Sequence, residues 1–144
     1  MILVDTSVWS LALRRSSLDL NDQQRRIVQR WSDLVRDGRA ALIGPIRQEI
    51  LSGIRQQTTF ETLRTHLAAF DDLVLQTGDY EEAAQLFNLC RSQGVTGTPI
   101  DLLICAISQR LALSIFTCDS YFGLYAKHLR IRLHARRISI ARPL

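Results

Sequence analysis

The stretch LVDTSVW, residues 3–9, decides how the rest of the chain is read. Together with Ile2 it opens on an apolar run that does not alternate, meets an aspartate at position 5, and passes through Thr6 and Ser7 into Val8 and Trp9. Unalternating apolar strands belong to parallel sheets buried on both faces. An aspartate followed by hydroxyl residues is a helix-start signal. A strand that turns at once into a short helix, Thr6 to Leu13, is the beginning of a β-α unit. Asp5 stands at the carboxyl end of that strand, either as a cap for the helix or as a group in the crevice that open α/β sheets form there.

The rest of the chain repeats this alternation. Asp22 to Arg36 reads as a longer helix with Asn21 as its cap and Ile27, Trp31, Leu34 and Val35 as its apolar stripe. Ala40 to Ile43 reads as a second strand, closed by Gly44-Pro45, with Pro45 in the first turn of a helix that carries Ile46, Ile50 and Ile54. Thr58 with Glu61, and Asp79 with Glu82, read as capping boxes ahead of two further helices, with Leu73 to Gln76 as a strand between them. Thr98 caps a helix with Pro99 at its first position, apolar on nearly every side to about Leu111. Ser114 to Thr117 reads as a strand, Ser120 to His128 as a short helix, and Ile131 to Leu133 as a last strand. Such alternation predicts α/β architecture with a parallel-centred sheet between helices and right-handed crossovers.

The 144 residues are about one domain's worth, and a single domain over 1–144 is expected. An apolar fraction of 47% and a charged fraction of 22%, without any apolar run near the ~20 residues of a membrane span, predict a soluble globular protein. The first residues lack a basic region and a small-residue cleavage site, so a cytoplasmic location is expected. Cys90, Cys105 and Cys118 show neither a disulfide framework nor zinc spacing and read as buried thiols. His66, His128 and His134 fall in no triad, and no GxSxG is present. The net charge of +4, with 17 Arg and a single Lys, suits phosphate recognition but equally fits a biased base composition.

Four acids give the chemistry. Asp5 and Asp119 follow strands and so share one rim of the sheet. Asp101 lies in the first turn of the apolar helix beside Ile100, Leu102, Leu103 and Ile104, where a carboxylate needs a partner. Glu49 borders the Ile46, Ile50, Ile54 stripe. Each has a plain structural reading: Asp5 and Asp119 as caps, Asp101 answering a helix dipole, Glu49 as an exposed helical glutamate. Their joint placement outweighs these readings, because clustered carboxylates cannot all stay ionised without a cation. Hard oxygen ligands select Mg²⁺ or Mn²⁺, and such sites hydrolyse phosphodiesters. Thr6, Ser7 and Thr117 add hydroxyls beside the acids.

LVDTSVW, the glutamate of IRQEILSGI, TPIDLLICAIS and IFTCDSYF resemble, in order and spacing, the four acidic motifs of PIN-domain ribonucleases, over residues 1 to about 125. The length and layout further resemble the VapC toxins of bacterial toxin–antitoxin pairs. The resemblance implies a PIN-like three-layer α/β/α fold with about five strands. It implies Asp5 and Asp101 as the main metal ligands, Glu49 completing the site, and Asp119 binding metal or its water. Thr117, Thr6 and Ser7 would support them. It also implies RNA as substrate, a homodimer, and a VapB-type antitoxin whose C-terminal arm fills the acidic groove. The basic C-terminal tail HARRISIARPL has no family meaning.

Competing readings fit less well. A haloacid-dehalogenase-like phosphatase wants a second acid two residues after the first, where Ser7 stands. A receiver domain wants an early acidic pair and a late lysine. A PIN-like module that binds RNA or protein without cutting would be favoured by a lost acid, and all four are present.

Overall fold

Strand β1 (Ile2–Val4) is buried throughout and runs between two parallel neighbours. It pairs with β2 (Ala40–Ala41) through Ile2–Ala40 and Leu3–Ala41, and with β3 (Ser114–Phe116) through Ile2–Ser114, Leu3–Ile115 and Val4–Phe116. The structure, a computed structural model, describes residues 1–134. The tail arginines Arg136, Arg137 and Arg142 lie outside the described residues.

The sheet order is β2-β1-β3. The chain leaves β1 toward one side through helices α1 (Thr6–Leu13) and α2 (Asp22–Arg36), and only later reaches the other side at β3. The reversal falls at β1 and β3, so the crevice of a parallel sheet opens at the carboxyl ends of these two strands. After β2 come α3 (Gly44–Leu51), α4 (Gln57–Leu67), α5 (Thr77–Ser92) and α6 (Pro99–Leu111); α7 (Tyr121–Tyr125) follows β3. Helices cover both faces, and α/β/α layering is as expected.

Among the described residues the sheet has three strands rather than the expected five or so. The outer two segments each meet it at one point: Asp72 bridges Leu42, and Leu133 bridges Ile115. Leu73 to Gln76 does not extend the first contact, because Val74 is 81% exposed and the chain turns into α5 directly after Gln76.

Two of the expected capping boxes also differ. Helix α4 begins at Gln57, so Thr58 is already inside it, and Glu61 instead accepts from Gln57 Nε2 at 2.8 Å. Asp79 does not cap a helix with Glu82. It lies in the first turn of α5, accepts from the Gln76 backbone N–H at 2.8 Å, and is paired by Arg110 of α6 at 2.6 Å. That guanidinium holds the Asp79 carboxyl below its usual range. Helix α3 stops before Ile54, with the Ser52 hydroxyl donating back to the Gln48 carbonyl. The helix expected at Ser120 to His128 spans only Tyr121–Tyr125.

The Asn21 cap is as expected: its side chain accepts from the Gln24 N–H at 2.8 Å, and Gln24 answers to the Asn21 N–H at 3.0 Å. Thr98 accepts from the Asp101 N–H at 3.1 Å, with Pro99 opening α6. Buried helix α6 packs with α5 and β3 around the core, where Leu102, Ile104, Cys105 and Ile107 are fully enclosed. Among the described residues no helix is long and apolar enough to cross a membrane.

Candidate active site

Asp5 ends β1 and its backbone N–H continues the sheet by donating to the Phe116 carbonyl at 2.9 Å. Its side chain does not cap α1. Instead, Oδ2 accepts from Ser7 Oγ at 2.7 Å and from Thr117 Oγ1 at 2.8 Å. Each hydroxyl has one proton and spends it on Asp5. The 3.3 Å approach of Ser7 to Thr117 is therefore a contact between two acceptors of their own donors: Ser7 Oγ accepts from the Cys118 N–H, and Thr117 Oγ1 from the Asp119 N–H. Strand β3 thus delivers Thr117 to Asp5, and the turn after it is tied to the same pair of hydroxyls.

Asp119 lies in that turn, exposed, with Oδ1 accepting from the Tyr121 N–H at 2.9 Å. Its capping role and a place at the rim coexist. Glu49, exposed on α3, accepts from Thr6 Oγ1 at 2.6 Å, so Thr6 links it to the residue next to Asp5. Asp101, half-buried in the first turn of α6, accepts from the Tyr125 hydroxyl at 2.6 Å. Burial pushes the Asp101 carboxyl up, the Tyr125 bond opposes this, and the charges of Asp5 and Asp119 push it up further. Burial and the neighbouring carboxylate likewise raise Tyr125, which stays a protonated donor.

The chain therefore brings Asp5, Asp101 and Asp119 into one electrostatic field, with Glu49 joined through Thr6. Each acid has an oxygen held by a donor of the chain, and the Asp101 carboxyl is bonded by Thr98 as well as by Tyr125. The ion pairs of the described residues join Arg25 to Asp22, Arg36 to Asp33, Arg47 to Asp72, Arg64 to Glu61 and Arg110 to Asp79, and none includes a site acid.

No group of three or more His, Cys, Asp or Glu side chains among the described residues is drawn together as a ready-made cage. The donor set is entirely hard oxygen. Cys118, read as a buried thiol, is exposed beside Asp119, whereas Cys90 and Cys105 are buried.

An apolar cavity of about 500 Å³ between α3, α5 and α6 is lined by Pro45, Phe87 and Leu103, among others, and by none of the four acids. Of the four acids, Glu49 and Asp119 are exposed, Asp101 is half-buried and Asp5 is buried. Tyr125 is the site residue that the sequence reading missed. Its only local signal is its position one turn after Phe122.

The PIN domain family model matches residues 2–128, a span that includes all four acids. The chain belongs to the PIN-domain family. This PIN domain is 30% identical over 129 residues to the VapC ribonuclease Mb1587 of Mycobacterium bovis, a match covering 88% of this chain and 92% of the relative. Its identity to ribonuclease VapC11 of Mycobacterium tuberculosis is the same, over the same shares. In structure it is similar to FitAcB from Neisseria gonorrhoeae, with a TM-score of 0.70 and 20% identity over 92% of this chain and 96% of that one. Against FitAB bound to the IR36 DNA fragment the TM-score is 0.69 at 19% identity, covering 92% of this chain and 93% of the other. These two likenesses show a shared fold.

The raised Asp101 carboxyl has a consequence for the stability of the PIN domain. A carboxyl whose folded value lies above its unfolded one favours the folded state while protonated. Stability then falls as pH rises from the ordinary value through the folded one, and the penalty persists above it. In EDTA at pH 7, Asp101→Asn is expected to melt higher than the wild type, because the amide keeps an acceptor for Tyr125 and removes the charge. The gain should fade as pH falls into the ordinary carboxylate range. Thermal melts across that range check it, and a variant less stable than the wild type at neutral pH would contradict it.

Proposed function

We propose that this PIN domain is a Mg²⁺- or Mn²⁺-dependent endoribonuclease, the toxin of a VapBC-type toxin–antitoxin pair, with Asp5, Glu49, Asp101 and Asp119 as its site. The carrying observation is that Asp101 shares the field of Asp5 and Asp119, with Glu49 held by Thr6 beside Asp5, and that among the described residues no Arg or Lys is paired to any of the four. The ribonuclease names of its VapC relatives support RNA as the substrate. The same relatives support a cognate antitoxin as partner, and a homodimer is part of the proposal.

Asp5 and Asp101 would hold the ion, with Glu49 and Asp119 bearing on it directly or through its waters. Bound there, the ion supplies Lewis-acid polarisation of a phosphodiester and a water of lowered pKa. The chain's own part is orientation. Ser7 and Thr117 fix Asp5 by two hydroxyl donors, Thr6 fixes Glu49, and the Tyr121 N–H fixes Asp119.

Protein freed of any partner is expected to cleave RNA when Mg²⁺ or Mn²⁺ is added and to stop in EDTA. Cleavage that persists in EDTA would exclude the metal. RNA binding without cleavage under any divalent ion would instead mark a non-catalytic module. In cells, expression of the wild type should arrest growth and co-expression of the cognate antitoxin should relieve it; harmless accumulation of folded protein would count against the toxin role.

A further inference from the structure

Tyr125 is fully buried, yet its hydroxyl reaches the edge of the acid site. The ring is held on several sides. It meets Phe122 edge-on at 5.2 Å and Tyr121 at 6.0 Å. The loop before α6 is bare where the ring passes: a Cβ at Gly97 would lie 3.0 Å from both Cε1 and the hydroxyl oxygen of Tyr125, and 2.4 Å from Leu102 Cδ2. The hydroxyl position is thus set by packing. A phenylalanine would fill the same space, so packing alone gives no reason for the oxygen.

The oxygen's partner supplies the reason. Asp5, Glu49 and Asp119 each have one oxygen held by a hydroxyl or backbone N–H close to the crevice. Asp101 Oδ2 accepts from the Tyr125 hydroxyl at 2.6 Å, and Thr98, in the turn before the same helix, also bonds to its carboxyl. A phenol donating to a carboxylate is a short, charge-assisted bond that fixes the carboxylate's rotation. We propose that Tyr125 is a positioning residue for the metal centre, its hydroxyl anchoring Oδ2 of Asp101 so that Oδ1 is presented to the divalent cation. This rests on the metal-dependent reading above. Donors behind a metal ligand orient it, and their loss typically weakens metal binding by about 10–100-fold.

The test is Mn²⁺ binding to the full-length, partner-free protein, followed by the electron paramagnetic resonance of free Mn²⁺. Tyr125→Phe is expected to bind about tenfold more weakly. Its cleavage should fall at limiting Mn²⁺ and return with excess Mn²⁺, at unchanged KM for RNA. Leu129→Ala, which removes a buried side chain from the same segment, should lower the melting temperature without moving the Mn²⁺ affinity. If Asp101→Asn loses Mn²⁺ while Tyr125→Phe keeps wild-type affinity, the positioning role falls and the metal-dependent reading stands. If the wild type binds no Mn²⁺, both fall. Should Tyr125→Phe not fold, 3-fluorotyrosine in the wild type decides. The ¹⁹F resonance of residue 125, assigned with Tyr80→Phe and Tyr121→Phe, moves on adding Mg²⁺ if the role is right and stays put if it is wrong.

Discussion

Asp5→Asn is expected to lower Mg²⁺-dependent RNA cleavage by a factor on the order of 10³, about 4 kcal/mol of barrier, while leaving the fold in place. The asymmetry follows from how Asp5 is held. Ser7 and Thr117 both donate to Oδ2, so an asparagine must turn its carbonyl oxygen toward them. Its NH₂ then faces the crevice, where it presents protons instead of a lone pair. The internal bonds survive, and the oxygen proposed to face the cation does not. Removing this charge also relieves Asp101, whose carboxyl Asp5 helps to push up. The variant should therefore show wild-type circular dichroism, an unchanged or higher melting temperature in EDTA, and almost no cleavage. Cleavage within a few-fold of the wild type would remove Asp5 from the site.

Trp9→Ala should act in the opposite sense, on the fold before the chemistry. Trp9 is fully buried, packs edge-on against Trp31 at 5.5 Å and Phe70 at 4.9 Å, and donates from Nε1 to the Val4 carbonyl at 3.0 Å. Truncating a buried tryptophan costs about 3–5 kcal/mol, a large part of the ~5–15 kcal/mol that holds a domain together. A fall in melting temperature of roughly 10–20 °C is expected. Because Trp9 joins α1 to the end of β1, the loss should loosen Thr6 and Ser7 as well. Any residual cleavage should fall as temperature rises, in step with unfolding. A melting temperature within a few degrees of the wild type would show that the aromatic cluster contributes little.

Periodicity and punctuation made much of this architecture legible. The unalternating run at Ile2–Val4, the cap at Asn21 and the Thr98-Pro99 helix start all act through neighbours in sequence, and all are found in place. What depends on distant partners was not legible. Leu73 to Gln76 has the composition of a strand, yet contact with the sheet is limited to the Asp72–Leu42 bridge and the Leu73 N–H that donates to the Leu42 carbonyl at 2.8 Å. Asp79 looked like a cap and is the partner of Arg110, 31 positions away. The same holds at the candidate site. Acids that follow strands in a parallel sheet must share a rim, so their gathering could be anticipated from topology. That Thr117 would donate to Asp5, or Tyr125 to Asp101, could not, because those bonds are decided by side-chain approach across the crevice.

Placing the first strand between two that come later also orders events during synthesis. Asp5 leaves the ribosome before the other acids of the site, but one of the two hydroxyls that pin it belongs to Thr117, 112 positions downstream. Contacts of such long range form late, since the loop they close must be ordered first. A nascent or prematurely ended chain lacking β3 has the first acid and the Ser7 donor beside it, but not Thr117 or the sheet pairing that completes its hold. For a protein proposed to cut RNA, the fold is its own safeguard: the blade is assembled only when the last strand is home.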